Sequence, residues 1–375
     1  MNGFQWHPAA RLIGPDGIEQ GPLAGIAQIA DRPGVRAMAQ ALGQGAGFRV
    51  GGTGDVAPDG FETLTGGSAG TPRRVRRTVA SWTASFAVNA GLFGIGPGTG
   101  VGIPGRLCHS LALYGALEGM HLGATVHLLD GLRADRMARV LAQVAVIYAT
   151  PAHLRMLVDA GADWPRLRHL VVGGAKLDAR LRAVLAEVAP QAQITGFYGA
   201  AEASFITMTD AATPAGSVGR AYPGVEIRVD AGEVWVLSPY LFTGYVGDGP
   251  ARWRDGWLTV GEYGRLENGY LYLQGRAGRM VTIADQNVFM DEVEAYLAGL
   301  RGVARVAVVA RADPARGHVL EAVMMGDQAC EAAILQAARR DLGVLKTPRR
   351  VWWRRDWPDL ASGKTDMMAI ERDLR

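Results

Sequence analysis

The sequence has little cysteine and no long apolar run. Its 375 residues include two cysteines, Cys108 and Cys330, which lie far apart and lack the spacing of a metal site. A disulfide-stabilised secreted protein is therefore not expected, and we predict a reducing, cytoplasmic location. Residues 1–15 lack the basic start and apolar run of a signal peptide. No uninterrupted apolar stretch reaches the roughly 18 residues of a transmembrane helix, so no membrane span is expected.

The sequence also lacks an excess of charge of either sign. It carries 39 Lys and Arg against 36 Asp and Glu, a net charge of +3. Domains that bind nucleic acid usually carry a strongly basic surface, so nucleic acid is not an expected partner. The composition, 49% hydrophobic and 20% charged, is typical of a globular protein. Because 375 residues exceed one ordinary core, we predict a large domain and a small one.

Strand patterns alternate with helix patterns in the middle of the chain. Strands are predicted at 124–129, 145–149, 169–172 and 193–198, with helices at 134–144, 151–160 and 179–188. This alternation predicts parallel strands joined by right-handed crossovers. Short strands separated by turns between about 220 and 275 predict a β-rich subdomain of hairpins. The pattern after residue 275 predicts a small α+β unit, so the predicted fold class is α/β with these three parts.

A glycine-rich loop with hydroxyl side chains follows a predicted strand at 61–65. The loop reads Thr65-Gly66-Gly67-Ser68-Ala69-Gly70-Thr71. Backbone N–H groups at the glycines, together with the hydroxyl groups, can cradle a polyphosphate. The loop is not a Walker motif because no Gly-Lys-Ser/Thr ends it. A plain glycine-rich turn is the alternative interpretation.

Helical spacing and a group of arginines follow this loop. Apolar residues spaced as on one helix face predict a helix that opens near Pro72: Val75, Val79, Trp82, Phe86 and Ala90. Such a helix would direct its positive end at the loop. Arg73 is the nearest of the arginines and is the favoured phosphate contact. Arg73, Arg76 and Arg77 cannot all face the core, so at least some of these side chains should be solvated.

A second motif combines an aromatic residue, a glycine and a carboxylate at the end of a predicted strand. It contains Tyr198, Gly199 and Glu202. Open α/β sheets bind ligands beyond the carboxyl ends of their strands. Tyr198 could stack on a base there, and Glu202 could hold Mg²⁺ through its oxygens. A core tyrosine and a surface glutamate are the alternative.

Two further motifs lie towards the C-terminus. Glu262 and Arg276 bracket a predicted hairpin and could both reach the hydroxyls of a sugar, although an ion pair across a hairpin would give the same pattern. Lys364 lies in the sequence Ser-Gly-Lys-Thr, where a lysine could stabilise developing negative charge. A solvated lysine is the alternative.

The order of these motifs resembles the adenylate-forming superfamily of acyl-CoA synthetases, non-ribosomal adenylation domains and firefly luciferase. The resemblance covers residues 60 to 370. Within it, residues 198–207 and 239–245 are most similar to short bacterial fatty-acid–CoA ligases.

The resemblance implies roles for individual residues. The implied ATP-binding set consists of Thr65, Gly66, Gly67, Ser68, Ala69, Gly70, Thr71, Arg73, Gly174, Ala175, Tyr198, Gly199, Glu262 and Arg276. In the family the loop grips the phosphates, the tyrosine stacks on adenine, and the later acid and arginine hold the ribose. The resemblance makes Glu202 the magnesium-linked carboxylate and Lys364 the catalytic lysine of adenylation. It places His109 near the acyl and thiol tunnel, with a satisfied buried histidine as the alternative.

The resemblance also implies the domain organisation. Residues 1–275 would form an AMP-binding domain, and residues 276–375 a mobile C-terminal lid that carries the catalytic lysine and turns about a hinge at Gly278. Only about sixty residues precede the glycine-rich loop, fewer than typical relatives have. The first subdomain is therefore expected to be shortened. Its acyl pocket could be open on one side or completed by a partner chain, and a homodimer is possible.

Several positions depart from the family pattern. Arg73, Ala201 and Glu262 stand where a lysine, a threonine and an aspartate are usual, and Gly278 replaces a charged hinge residue. The pair Ala284-Asp285 replaces Gly-Gly where members that use coenzyme A press the backbone against the pantetheine arm. These changes bear more on the thiol acceptor than on nucleotide binding.

The implied reaction has two steps and needs ATP, Mg²⁺ and a thiol. A carboxylate attacks the α-phosphorus of ATP, pyrophosphate leaves, and the acyl adenylate is then attacked by a thiol, with coenzyme A favoured over a carrier protein. The alternatives among enzymes are an aromatic or keto-acid CoA ligase, such as succinylbenzoate–CoA ligase, and a stand-alone adenylation protein that loads a carrier protein. The alternative from another class is a non-catalytic relative that binds a nucleotide or an acyl ligand.

Overall fold

The structure is a computed structural model, and it divides into two compact units. It describes residues 3–23, 28–29, 34–43, 47–51, 56–57, 59–65, 73–247, 249, 251–360 and 364–374. The first unit comprises the described residues up to Ile227, together with Val236–Leu258. The second comprises Arg228–Trp235 and the described residues from Thr259 onward. The predicted domain boundary between residues 275 and 276 remains a prediction.

The first unit begins with short strands and continues as alternating strands and helices. In chain order its elements up to residue 221 are β1 (Arg11–Ile13), β2 (Glu19–Gln20), β3 (Gln28–Ile29), α1 (Val35–Gly43), β4 (Phe48–Val50), β5 (Gly60–Leu64), β6 (Arg74–Thr78), α2 (Ala80–Phe93), β7 (Gly100–Ile103), α3 (Ser110–Leu122), β8 (Thr125–Leu128), α4 (Ala134–Leu141), β9 (Val146–Ala149), α5 (Pro151–Asp159), β10 (His169–Val172), α6 (Ala179–Val188), β11 (Gln193–Ala200), β12 (Ser204–Met208) and β13 (Arg220–Ala221).

The later elements are mostly strands, followed by the helices of the second unit. They are β14 (Glu226–Asp230), β15 (Glu233–Leu237), β16 (Gly244–Tyr245), β17 (Arg252–Arg254), β18 (Trp257–Thr259), β19 (Glu262–Glu267), β20 (Tyr270–Arg276), β21 (Met280–Ile283), β22 (Gln286–Phe289), α7 (Met290–Ala298), β23 (Val303–Asp313), β24 (Gly317–Gly326), α8 (Glu331–Leu342), β25 (Arg350–Trp353) and α9 (Met367–Asp373).

A parallel sheet forms the centre of the first unit. Strands β11, β10, β9, β7, β8 and β1 lie side by side in this order, and each neighbouring pair is parallel. Every residue of β9 is buried, as expected for a strand covered on both faces. Helices α4, α5 and α6 supply apolar side chains to a core around Trp164, which is fully buried. The predicted α/β fold class is confirmed.

A second sheet of the first unit carries the arginine-rich segment, and here one prediction is wrong. No helix opens near Pro72: residues Arg74–Thr78 form β6, and the helix α2 starts only at Ala80. Strand β6 pairs antiparallel with β5 on one side and with β16 on the other. Because these two partners satisfy its backbone, β6 stays extended although the spacing of its apolar residues also fits a helix. The helix α2 therefore does not follow the glycine-rich segment directly in the sequence.

The second unit contains antiparallel hairpins and a small α+β layer. Strands β19 and β20 form one hairpin, β21 and β22 another, and β23, β24 and β25 a separate sheet. Helices α7 and α8 cover that sheet through a core that includes Val293, Leu297, Ile334 and Ala338. Within the parts of the chain that the structure describes, no helix is long and apolar enough to cross a membrane.

Candidate functional site

Most of the described residues that were predicted as site residues of the first unit lie at or beyond the carboxyl ends of its parallel strands. His109 lies a few residues beyond β7, the segment 173–175 follows β10 directly, and Tyr198 lies near the end of β11. Because these strands are parallel neighbours or next neighbours, their carboxyl ends meet along one edge of the sheet. This edge is where open α/β sheets bind their ligands.

Two glycines of the predicted adenine site are required by the backbone. Gly174 has a φ of +85°, which other residues rarely adopt. At Gly199 a Cβ would lie 2.1 Å from the carbonyl oxygen of Ser204, so no larger residue fits. Tyr198 is half-buried and pairs with Thr207 just before a register shift between β11 and β12. The exposed Ala175 and this tyrosine remain predicted contacts of the adenine.

The first unit brings together Arg73 and Glu202, and Tyr245 is the residue that joins them. The Tyr245 hydroxyl donates a hydrogen bond of 2.7 Å to Glu202 Oε1. The guanidinium carbon of Arg73 lies 3.3 Å from the centre of the Tyr245 ring. Arg73 Nη2 also donates to the carbonyl oxygen of Gly249 at 2.9 Å. The predicted phosphate-binding cation and the predicted magnesium carboxylate thus belong to one chain of contacts.

Tyr245 was not predicted as a site residue. Burial and the Glu202 carboxylate raise the pKa of its phenol well above the ordinary value, so the phenol stays protonated and donates to Glu202. The resemblance of residues 239–245 to fatty-acid–CoA ligases was the available signal for this residue. It indicates that the segment matters but not which side chain it contacts.

Arg77 is a second residue that the sequence interpretation missed. Its side chain is 1% exposed, because it is on the inward face of β6. Burial lowers the pKa of the guanidinium to about 9, while the charge of Glu202 acts in the opposite direction. The guanidinium therefore remains charged at neutral pH. A basic residue in a run of arginines gives no sequence signal that it is buried.

His109 and Thr65 are placed beside each other. Leu64 and His109 form an isolated parallel bridge, and Ser110 Oγ donates to the carbonyl oxygen of Leu64 at 3.3 Å. Thr65 Oγ1 accepts a hydrogen bond of 2.9 Å from the backbone N–H of Arg73. His109 therefore lies beside the end of β5, at the residue that precedes Thr65. The loop residues Gly66, Gly67, Ser68, Ala69, Gly70 and Thr71 lie outside the described residues.

A second histidine is near His109. Burial lowers the pKa of His153 to about 4, and the neighbouring His109 acts in the same direction. Thr150 caps α5, because its Oγ1 accepts the backbone N–H of His153 at 3.3 Å. His153 is therefore neutral at physiological pH, and His109 is next to an uncharged imidazole.

The second unit holds the remaining predicted residues. Glu262 and Arg276 are directly opposite in the β19–β20 hairpin, and Arg276 Nε donates to Glu262 Oε1 at 2.7 Å. The ion pair considered as the alternative is therefore present, and the ribose contacts remain a prediction. Gly278 lies in a short helical turn, Ala277–Arg279. The half-buried Lys364 accepts the N–H of Leu360 through its carbonyl oxygen at 2.8 Å.

The residues present fit a magnesium ion that is held mainly by phosphate. Within the described parts of the chain, no group of three or more His, Cys, Asp or Glu could hold a metal ion. Mg²⁺ commonly binds through one or two carboxylates together with substrate phosphates and water. Glu202 has one oxygen engaged by Tyr245, which leaves its carboxylate oriented and able to supply such a ligand.

The chain is similar to two known protein families and to curated bacterial proteins. Residues 62–246 match the family described as AMP-binding enzyme, and residues 292–364 match the AMP-binding enzyme C-terminal domain. The acyl–CoA ligase YhfT of Bacillus subtilis (strain 168) is 30% identical over 343 residues, covering 83% of this chain and 68% of the relative. VraA of Staphylococcus haemolyticus (strain JCSC1435), named as a long chain fatty acid-CoA ligase, is 27% identical and covers 82% and 69%.

A solved structure gives the same fold. The crystal structure of ATP-bound MatB from Rhodopseudomonas palustris aligns with a TM-score of 0.74 at 20% identity, covering 97% of this chain and 74% of that one. The two family matches occur in the same order as the motifs along the chain. The relatives YhfT and VraA carry the names acyl–CoA ligase and long chain fatty acid-CoA ligase. The chain belongs to the adenylate-forming superfamily of AMP-binding enzymes.

Proposed function

We propose that the protein activates a carboxylic acid with ATP and transfers the acyl group to coenzyme A. The carboxylate oxygen attacks the α-phosphorus, the bond to the bridging oxygen breaks, and pyrophosphate leaves. The thiol sulfur of coenzyme A then attacks the acyl carbon of the acyl adenylate, and AMP leaves. A fatty acid is the proposed substrate class, in keeping with the name of the staphylococcal relative.

The observation that carries the proposal is the contact chain Arg73–Tyr245–Glu202. It joins a cation to a carboxylate: Glu202 follows β11 just beyond the carboxyl end of this strand of the parallel sheet, and the backbone N–H of Arg73 donates to Thr65, the first residue of the predicted loop. Arg73 would bind the departing phosphates, and the Tyr245 hydroxyl would orient the Glu202 carboxylate. Preorganised charges of this kind stabilise the transition state of phosphoryl transfer.

Mg²⁺ and the remaining predicted residues would complete the site. Mg²⁺, held by Glu202 and the phosphates, would neutralise the charge that develops on the phosphoryl oxygens. Lys364 would donate to the α-phosphate oxygens during the attack. Tyr198 and the segment Gly174-Ala175 would bind the adenine, and Glu262 with Arg276 the ribose.

The proposal is tested by a pyrophosphate-release screen. Fatty, aromatic, keto and amino acids are each supplied with ATP and Mg²⁺, with and without coenzyme A, and the AMP and thioester products are measured. Release that depends on a fatty acid and yields a CoA thioester supports the proposal. Preference for an aromatic or keto acid would correct the substrate class.

The screen also distinguishes a carrier-protein acceptor from coenzyme A and an enzyme from a non-catalytic protein. Release of pyrophosphate without CoA thioester, but with transfer to an added carrier protein, would replace the acceptor. If ATP binds but no acid in the screen leads to release of pyrophosphate, this result would contradict the enzymatic proposal and favour a non-catalytic relative.

A further inference from the structure

The turn that carries Glu202 is held by a buried arginine from another part of the first unit. Arg77 lies in β6, and its guanidinium reaches the segment between β11 and β12. Arg77 Nη1 donates to the carbonyl oxygen of Ala201 at 2.6 Å, and Nη2 donates to Ser204 Oγ at 2.8 Å. These two contacts flank Glu202 on either side along the chain.

The same guanidinium fixes a second segment next to Glu202. Arg77 Nη2 also donates to the carbonyl oxygen of Tyr240. Two residues later, the backbone N–H of Phe242 donates to the carbonyl oxygen of Glu202 at 2.8 Å. The segment that supplies Tyr245 to the Glu202 carboxylate is therefore joined to the turn through Arg77.

The turn needs this support because its backbone is strained. Ser204 has a φ of +57°, in the left-handed region that non-glycine residues rarely occupy. Its hydroxyl accepts bonds from both Arg77 and Trp82 Nε1, the latter at 3.0 Å. Such strain persists only where the surroundings hold the residue in place. A guanidinium presents donors on separate nitrogens in a fixed planar fork, so it can hold acceptors on two segments at once, whereas the donors of a lysine share one nitrogen.

We propose that Arg77 is a positioning residue of the adenylation site: its fork clamps the Ala201–Ser204 turn and thereby sets the place of the Glu202 carboxylate. Arg77 makes no contact with substrate in this proposal. It acts through Glu202, and it therefore governs the part of ATP binding that depends on Mg²⁺. The inference rests on the proposed role of Glu202 in the proposed function.

The test uses the full chain and three variants. Arg77→Lys keeps the charge but not the fork, and Ser204→Ala removes one acceptor of the fork while keeping Arg77. Arg76→Met is the matched control: Arg76 is on the outward face of β6 with a side chain that is 54% exposed, and loss of its 3.3 Å pair with Glu62 leaves that carboxylate paired with Arg49 at 2.6 Å. The dissociation constant of ATP is measured by calorimetry with Mg²⁺ and again with a chelator.

Arg77→Lys and Ser204→Ala should weaken ATP binding about tenfold with Mg²⁺, the effect of losing one charge-assisted hydrogen bond. Binding with the chelator should be unchanged, and Arg76→Met should match the wild type in both conditions. In a Glu202→Gln background, Arg77→Lys should cause little further loss, because the two residues act as one unit. Equal weakening with and without Mg²⁺, or full additivity with Glu202→Gln, would overturn the proposal.

A second measurement needs no ligand and no turnover. Hydrogen exchange of the Phe242 amide reports whether the turn is held, since this amide donates to Glu202. Exchange should be faster in Arg77→Lys and Ser204→Ala than in the wild type and unchanged in Arg76→Met. Unchanged exchange in both test variants would contradict the clamp even if the protein proved to be no enzyme. If the exchange results agree with the clamp but no pyrophosphate is released, only the proposed function is contradicted.

Discussion

Glu118 lies in α3, and its side chain is completely buried. Its Oε1 accepts a hydrogen bond of 2.8 Å from Asn89 Nδ2, and its Oε2 accepts one from the Tyr148 hydroxyl. The Tyr222 hydroxyl donates to Asn89 Oδ1 at 2.7 Å and extends the network. Burial raises the pKa of Glu118 from 4.5 to about 8, although these hydrogen bonds lower it. The folded protein therefore holds a proton on Glu118 at neutral pH.

This shift predicts a pH-dependent stability. The folded state binds the proton more tightly than the unfolded state, so the stabilisation is fully present below about pH 4.5 and is lost as the pH rises through about 8. One pKa unit corresponds to about 1.4 kcal/mol, so the free energy of unfolding should fall by several kcal/mol across this window. Glu118→Gln should flatten the decline, as measured by urea unfolding at a series of pH values.

A surface glutamate provides the control for this prediction. Glu267 forms an exposed pair with Arg265, and Glu267→Gln should leave the pH dependence as it is. Glu294, whose pKa burial raises to about 7, contributes in the same direction and should leave a residual slope in Glu118→Gln. The same slope in Glu118→Gln and the wild type would show that Glu118 does not hold the proton.

Lys364 is the residue on which the proposed adenylation step most depends. Removing one preorganised donor typically costs about 10²–10³ in rate, so Lys364→Ala should slow acyl-adenylate formation by roughly that factor. Thioester formation from a supplied acyl adenylate should be largely unaffected, because the proposed role of Lys364 is confined to the first step. Both half-reactions are measured separately in the one variant.

Another lysine of the second unit is the control. Lys346 lies 2.7 Å from Glu292 in an ion pair, and Lys346→Ala should leave both half-reactions close to the wild-type rates. Adenylation at the wild-type rate in Lys364→Ala would mean that this lysine is not the catalytic one.

At the scale of elements, the turn of the β21–β22 hairpin has a strained backbone, because its two residues are not ones that favour this conformation. Ala284 and Asp285 connect the two strands, with Ile283 opposite Gln286. Their φ values are +47° and +63°, and two-residue hairpin turns with positive φ at both positions favour glycine or asparagine. Ala284 and Asp285 therefore hold a left-handed conformation that the Gly-Gly of the family pattern could adopt without strain.

Replacing Ala284 by glycine should stabilise the protein slightly. Relief of the left-handed conformation gains roughly 1–2 kcal/mol, and the greater freedom of glycine in the unfolded chain costs about 0.5–1 kcal/mol. The net gain should lie between about 0 and 1.5 kcal/mol, measured by denaturant unfolding. Gly278→Ala is the opposite exchange, glycine to alanine, at a position without positive φ. Alanine should not destabilise the protein there. Destabilisation by Ala284→Gly would contradict the strain argument.

Elements with a regular local pattern were predictable, and elements held by distant partners were not. The bounds of β10 and α6 match the sequence predictions. The run of apolar residues in β10 and the capping Asp178 before α6 are both signals within the local sequence. Strand β6 was predicted as a helix because its apolar spacing fits both structures. Its state is decided by pairing with both β5 and β16, and β16 is far away in the sequence and offers no local signal.

The same reasoning applies to the candidate site. Motif order identified Glu202 and Arg73 as site residues, but the hydrogen bonds of Arg77 to Ala201, Ser204 and Tyr240 each join residues more than 120 positions apart. Such contacts follow from the folded arrangement of two sheets within the first unit. A single sequence contains the residues but no measure of their proximity.

At the scale of the whole molecule, the segment around Gly278 lies within the second unit and is held on both sides. The backbone N–H of Ala277 donates to the carbonyl oxygen of Gly261 at 2.9 Å. Arg279 donates to Asp291 Oδ1 at 2.5 Å and to the carbonyl oxygen of Val308 at 3.2 Å. Gly278 itself would meet no atom within 4 Å if it carried a Cβ. A rotation in this segment would therefore be absorbed most easily at Gly278.

Gly278→Pro tests whether the reaction uses such a rotation. Proline fixes φ near −65° and disfavours the helical conformation of the preceding residue, so the segment could no longer change its backbone freely. If the second step needs a different backbone conformation here, thioester formation should fall about tenfold or more beyond any loss in adenylation. Gly278→Ala is the matched control, because it adds a side chain in open space and keeps the freedom to rotate. It should run both half-reactions near wild-type rates, and equal loss of both steps in Gly278→Pro would place the pivot elsewhere.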